Sequence, residues 1–220
     1  MFVPLVDTLR CPHPHDETWL VASIDRANER DIIDGMLGCP KCTTEYPIRD
    51  GIVYFAENVP RAGFRAPSEE EAMRLAAALD LTDARMTAVL QGTWGAHAPI
   101  LRGITPAQLL LVNPPVGITS GDGISIVQAE TAPIARGSMS AVAFDESADG
   151  AMLASLLATL RPGGRVLGPV QVPVPPDFTE LARDEEVWVA RASSGSTSAP
   201  VPLRRRPPGP GDGPRTENSN

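Results

Sequence analysis

The sequence predicts an α/β protein: a small metal-clipped β unit at the front, then a truncated parallel sheet with helices on both faces. Three observations predict it. Gly38-Cys39-Pro40-Lys41-Cys42 carries two thiols at C-x-x-C spacing, which lets both sulfurs of a tight turn grip one metal ion. From about residue 85 onward, short apolar runs alternate with helical stretches, the signature of a parallel sheet built from βαβ units. Between the two, Glu57 to Pro67 holds Pro60, Gly63 and Pro67 and reads as a linker. The chain divides accordingly into a β unit (1–58), a linker (59–67), an α/β domain (68–192) and a tail (193–220).

Composition sets the outer bounds. A chain of 220 residues has room for one medium domain and one small one. At 42% hydrophobic and 21% charged residues it has the make-up of a soluble globular protein. No apolar run approaches the roughly 20 residues of a membrane span, and no signal peptide is evident in the first ten. A C-x-x-C without an extracellular cysteine framework predicts a reducing cytoplasm. A net charge of −8 argues against a general nucleic-acid binder. Lys41 is the one lysine among 19 basic residues, a bias of base composition rather than of function.

The front unit opens on a short apolar lead-in, Met1 to Leu9. Thr18 to Ile24 and Asp31 to Leu37 predict strands, the second with a turn signal, Asp34-Gly35, inside it. Tyr46-Pro47-Ile48 and Ile52 to Phe55 flank Asp50-Gly51, a hairpin signal. The third cysteine, Cys11, lies in Cys11-Pro12-His13-Pro14-His15, so all the cysteines fall within the first 42 residues. That clustering suits a Cys₃His zinc site, and so small a unit needs such a staple. A second C-x-x-C would place a cysteine at position 14, where Pro14 cannot ligate. His13 or His15 must supply the fourth ligand; the candidate set is Cys11, His15, Cys39 and Cys42. Short strands holding two such knuckles make a zinc ribbon.

The stretch from "LRCP" to "DGMLGCPKCTTEYPIRDGIVYF", about residues 8 to 56, resembles the small zinc-ribbon family that includes the activator subunit of tRNA and release-factor methyltransferases. The closing Tyr46-Pro47-Ile48 and Asp50-Gly51-Ile52 match that family's ending. The resemblance implies a protein-binding module that steadies a partner. The missing second cysteine of the first knuckle departs from the pattern.

In the α/β part, Ser68-Glu69-Glu70-Glu71 predicts a helix start with a Ser N-cap, acids in the first turn and Glu71 at the capping-box position. The helix continues through Leu79. Strands are expected at Met86 to Leu90, Gln108 to Val112, Gly123 to Val127, Ser140 to Phe144 and from Arg165 to Leu167, with a short late strand at Val187 to Ala190. Ala151 to Leu160 predicts a helix closed by Arg161-Pro162-Gly163-Gly164. The order resembles the class I S-adenosylmethionine-dependent methyltransferases, a Rossmann-like fold, over about residues 68 to 192. "AETAPIARGSMSAVAFDE" and "LLATLRPGGRVL" carry the likeness. That family places two further strands and helices after its fifth strand. Here the Pro-rich stretch 169–176 leaves little room, so a trimmed, exposed sheet edge is expected.

The resemblance implies S-adenosylmethionine as cofactor, bound by glycines in the first turn and by acids after the second and third strands. The matching positions are Gly92, Gly95, Asn113 and Gln128. Trp94 replaces a small residue between the glycines, and both acids have become amides, which lack a charge-assisted acceptor. Asn113-Pro114-Pro115 matches an amino-methyltransferase motif, but it follows the second strand instead of the fourth and lacks the aromatic residue, Val116 standing in its place. No catalytic arrangement stands out; His97 reads as packed or solvated. The expectation is a non-catalytic structural or docking subunit that binds other protein subunits. The runners-up are a working methyltransferase with a divergent cofactor loop and an activator of a separate methyltransferase. The Ser/Gly/Pro-rich tail, Ser193 to Asn220 with Arg204-Arg205-Arg206, is expected to lie on a partner's surface.

Overall fold

The computed structural model describes residues 1–61 and 63–193; beyond Ser193, the tail and the partner contact expected of it lie outside the described residues. The front unit holds four strands, β1 (Val21–Asn28), β2 (Asp31–Gly38), β3 (Glu45–Arg49) and β4 (Ile52–Tyr54), each antiparallel to the next. Asp50 and Gly51, with φ of 50° and 76°, make the tight hairpin between β3 and β4. The Asp34-Gly35 signal does not make a turn. The chain reverses at Glu29 and Arg30 instead, and Asp34 stays inside β2. Its carboxylate is used sideways, accepting from Arg26 Nε at 2.6 Å and from the Asp50 backbone N–H at 3.2 Å.

After the linker come α2 (Glu69–Leu79), β5 (Thr87–Gln91), a 3₁₀ turn (Gly92–His97), α3 (Ala98–Ile104), β6 (Gln108–Val112), β7 (Ile124–Gln128), β8 (Met139–Ala143), α4 (Gly150–Thr159) and β9 (Leu160–Pro169). The fold is mixed α/β: β7-β6-β5-β8-β9 run parallel in the doubly wound 3-2-1-4-5 order. The capping box on α2 is present, with Ser68 Oγ accepting from Glu71 N–H at 3.1 Å and the Glu71 carboxylate accepting from Ser68 N–H at 2.6 Å. At the other end, Arg165 of β9 donates to the Ala77 and Ala78 carbonyls at 3.2 and 3.0 Å, closing α2 and tying it to the sheet.

Alternation along the strands separates two cores. Ala88, Leu90, Leu109, Leu111, Ile126, Ala141 and Leu167 face α2 and α3, where small alanines let α2 lie close. Val89, Leu110, Val112, Val127, Val142 and Val166 face α4. A parallel sheet needs both faces covered, and on the α4 face the β7–β8 connection carries no helix among the described residues. The lead-in fills that space. It forms the short α1 (Val3–Val6), and Met1, Leu5, Val6 and Leu9 are buried on the α4 face, with Phe2 N–H donating to Ser125 Oγ of β7 at 3.0 Å.

Two features differ from the sequence expectation. The space after β9 is filled by an antiparallel hairpin, β10 (Phe178–Arg183) and β11 (Val187–Ala192), with β11 paired to β9. The strands are there; among the described residues no helix accompanies them. Trp188, fully buried, anchors the hairpin by donating to the Val172 carbonyl at 2.7 Å. The front unit also does not stand apart. β4 pairs in parallel with β7, Ile52 opposite Ile126 and Tyr54 opposite Gln128, so all strands join one eleven-stranded sheet with β1 and β10 at its edges. Among the described residues no helix is long and apolar enough to cross a membrane.

Candidate functional sites: a metal centre and a closed crevice

The metal centre is built by the loop before β1 and the turn between β2 and β3. Cys39 N–H donates to the Thr44 carbonyl and Thr43 N–H to the Cys39 carbonyl, both at 2.9 Å, with Thr43 in left-handed backbone (φ 57°). This tight turn sends both thiols to one side. The ligand atoms of Cys11, His15, Cys39 and Cys42 lie within 4.8 Å of one another. Cys11 and Cys42 sulfurs are 3.6 Å apart, and Cys39 Sγ is 3.5 Å from His15 Nε2. A tetrahedron with zinc–sulfur bonds near 2.3 Å has edges of about 3.7 Å, so the donors fit the ion. His15 Nδ1 donates to the Asp16 carbonyl at 2.8 Å, which leaves Nε2 as the ligating nitrogen. His13 turns away and meets the Tyr46 ring edge-on at 6.4 Å.

Hydroxyls surround the sulfurs. Tyr46 Oη is 3.2 Å from Cys11 Sγ, and Thr44 Oγ1 is 3.3 Å from Cys42 Sγ. The Thr44 hydroxyl and N–H pull the Cys42 thiol down to about 5, while burial pushes Cys11 up. Such a closed set of four protein ligands leaves no open position for substrate; it is a structural arrangement. The group could hold a metal ion, and the ion would supply a cross-link between the loop and the β2–β3 turn.

The second candidate lies outside the carboxyl ends of β5, β6, β7 and β8, where a doubly wound sheet binds its ligands. The four sequence-picked positions, Gly92, Gly95, Asn113 and Gln128, all come to this edge, and all are buried. The two glycines face protein where a Cβ would stand. The Asp145 carboxylate stands 2.3 Å from where a Cβ of Gly92 would be, and Pro114 Cβ stands 2.6 Å from that of Gly95. Asp145 accepts from Thr93 N–H and Oγ1 at 2.6 and 2.7 Å and from Ser147 N–H and Oγ at 2.9 and 2.6 Å. Gln91 joins them, accepting from Asp145 N–H at 3.0 Å and donating to Ser147 Oγ at 2.8 Å. Burial works to raise the Asp145 carboxyl, but these donors outweigh it and hold it below its ordinary value.

The Asn113 amide is spent internally, whereas the buried Gln128 Nε2 has no hydrogen-bond partner among the described residues. Asn113 donates to the Ala129 carbonyl at 2.8 Å and accepts from Ala129 N–H at 2.9 Å, clamping the end of β6 to the end of β7. Gln128 is 2% exposed, and its backbone carbonyl accepts from Phe55 and Ala56 N–H, joining β7 to the front unit. Trp94, expected to intrude between the glycines, turns its indole N–H to the Phe144 carbonyl at 3.1 Å.

Comparison with solved structures finds methyltransferases among the similar chains. Solved structures similar to the chain include TrmN from Thermus thermophilus (13% identity, TM-score 0.44, covering 58% of this chain and 50% of that one). They also include geranyl diphosphate C-methyltransferase from Streptomyces coelicolor A3(2), solved with S-adenosyl-L-homocysteine (15%, 0.37, 45% and 42%). A third, from Galdieria sulphuraria, carries the provisional name sarcosine dimethylglycine methyltransferase (14%, 0.37, 46% and 45%). The match spans about half the length of these structures or less. No protein-family model and no curated protein sequence matches the chain.

The residues of the Asp145 network, Gln91, Thr93, Asp145 and Ser147, were not among those the sequence singled out. The signal available was local: Phe144-Asp145 directly after an apolar strand, and polar Gln91 and Thr93 on either side of Gly92. Neither shows from sequence that the two loops meet.

Proposed function

We propose that this chain is a non-catalytic structural or docking subunit, in which a zinc ribbon braces a methyltransferase-like sheet that has given up its cofactor. Cys11, His15, Cys39 and Cys42 hold a structural zinc ion, and S-adenosylmethionine does not bind. The observation that carries this reading is the Asp145 carboxylate in the space above Gly92, fully engaged by donors of its own chain. A cofactor carboxylate would have to displace those bonds to use the same donors.

The activator-like ribbon works in cis in this reading. Here β4, the front-unit strand beside the α/β part, pairs with β7 of its own chain rather than with a separate methyltransferase. The docking edges that remain for other protein subunits are β1 and β10. The second reading, a working methyltransferase, draws on the 3-2-1-4-5 strand order and its crevice at the carboxyl ends. Isothermal titration calorimetry with S-adenosylmethionine separates the two: no heat of binding is expected at millimolar ligand, and micromolar binding would replace the first reading with the second. Metal analysis of the purified chain is expected to find one zinc per chain, lost in Cys39→Ala. Zinc retained in that variant would remove the metal from the account.

A further inference from the structure

The three sulfurs of the metal centre are not equivalent. Cys42 is half-buried, whereas Cys11 and Cys39 are 8% and 2% exposed. Cys42 Sγ stands 3.6 Å from Cys11 Sγ, in direct contact. Cys39 Sγ is engaged elsewhere, 3.5 Å from His15 Nε2, and its backbone N–H and carbonyl are both held by the turn to Thr43 and Thr44. An oxidant arriving from solvent meets Cys42 first, and the sulfur beside it is that of Cys11.

The same two sulfurs belong to the two segments that a metal ion would join. Cys11 lies in the loop before β1, and Cys42 in the turn between β2 and β3. A bond between them makes that link covalently, across 31 positions of the chain. A Cys39–Cys42 bond would close the turn on itself and join no second segment. A disulfide stabilises more the longer the chain it closes, so only the first pairing replaces the ion as a staple.

We propose that Cys11 and Cys42 form an oxidation site, at which hydrogen peroxide exchanges the zinc cross-link for a disulfide and leaves the fold stapled. The exchange rests on the zinc reading above. The Cys42 thiolate attacks one peroxide oxygen; the O–O bond breaks, hydroxide leaves, and Cys42 becomes a sulfenic acid. The Cys11 thiolate then attacks the Cys42 sulfur; the S–S bond forms, the S–O bond breaks, and a second hydroxide leaves. Two thiolates lose two electrons, the peroxide gains them, and two protons turn both hydroxides into water. Cys39 and His15 are then the only donors left, half of a tetrahedral set, and a chelator takes the metal.

The chain is well suited to the test. Arg26 and Lys41 separate the three cysteines, so trypsin places each on its own peptide. The full zinc-loaded chain is treated with a small excess of hydrogen peroxide beside the chromophoric chelator pyridylazoresorcinol. Remaining thiols are alkylated, and the digest is mapped by mass spectrometry. Zinc release in step with a Cys11–Cys42 disulfide is expected, with Cys39 recovered as the alkylated thiol. The oxidised chain should melt about 5 °C or more above the reduced, zinc-free chain. Dithiothreitol should restore the thiols and the metal binding. A Cys39–Cys42 or Cys11–Cys39 bond, a bond between two chains, or cysteines left unpaired after peroxide would overturn the site. An oxidised chain that melts no higher than the reduced, zinc-free one would overturn the staple. Metal analysis before peroxide is added keeps the two readings apart. A chain without zinc at that point removes the ion and the exchange, while the peptide map still decides the Cys11–Cys42 bond.

Discussion

Single side chains carry the two parts of this account, and each can be removed. His15→Ala should weaken zinc binding at least about 100-fold, more than the loss of a supporting group costs. His13→Ala should leave it unchanged, because that ring faces Tyr46. Tyr46→Phe, which takes away the hydroxyl beside Cys11 Sγ, should cost about tenfold. Competition with a chromophoric chelator reads all three. At the crevice, Asp145→Ala removes the acceptor of the Thr93 and Ser147 N–H groups and should destabilise the chain by about 1 kcal/mol in urea. The pH dependence has a definite sign. The folded Asp145 carboxyl is held below its ordinary value, so its contribution is complete above the unfolded value of about 3.9 and is lost as pH falls below it. The stability gap between wild type and Asp145→Asn should therefore be widest above about pH 5 and close in acid.

At the scale of elements, strands with strong local chemistry were the legible ones. Gln108–Val112 is a strand of the expected bounds, because four consecutive apolar residues after Gln108 sit between a proline-led loop and Asn113-Pro114. The Asp50-Gly51 hairpin and the Ser68 capping box were legible for the same reason: one short signal fixes each. The hairpin β10–β11 was only half legible. Phe178–Arg183 is an edge strand exposed almost throughout, so it lacks the alternation that marks a buried face. The four metal donors were legible as a cluster because sequence spacing brings thiols together, though the choice of His15 over His13 needed the Nδ1 bond to Asp16. The closure by Asp145 was not, since it joins loops 52 residues apart. Within α2, Ser68→Ala should cost about 1 kcal/mol, measured by thermal unfolding with α2 otherwise intact.

Across the whole molecule, the sequence boundary at the linker is not a boundary of the sheet. β4 adds to β7, and the lead-in covers a sheet face that a crossover helix would otherwise cover. Ribbon and α/β part should therefore unfold together, and zinc removal by a chelator should lower a single cooperative transition, not the first of two. A chain starting at residue 57 would expose the β7 edge and the Val127 face and should elute from size exclusion as aggregate. The central claim is that the carboxyl-end crevice is filled by the protein itself. Calorimetric titration of the zinc-loaded chain with S-adenosylmethionine tests it most directly. A flat titration to millimolar ligand is what the Asp145 network requires, and a saturable one-to-one isotherm in the micromolar range would contradict it.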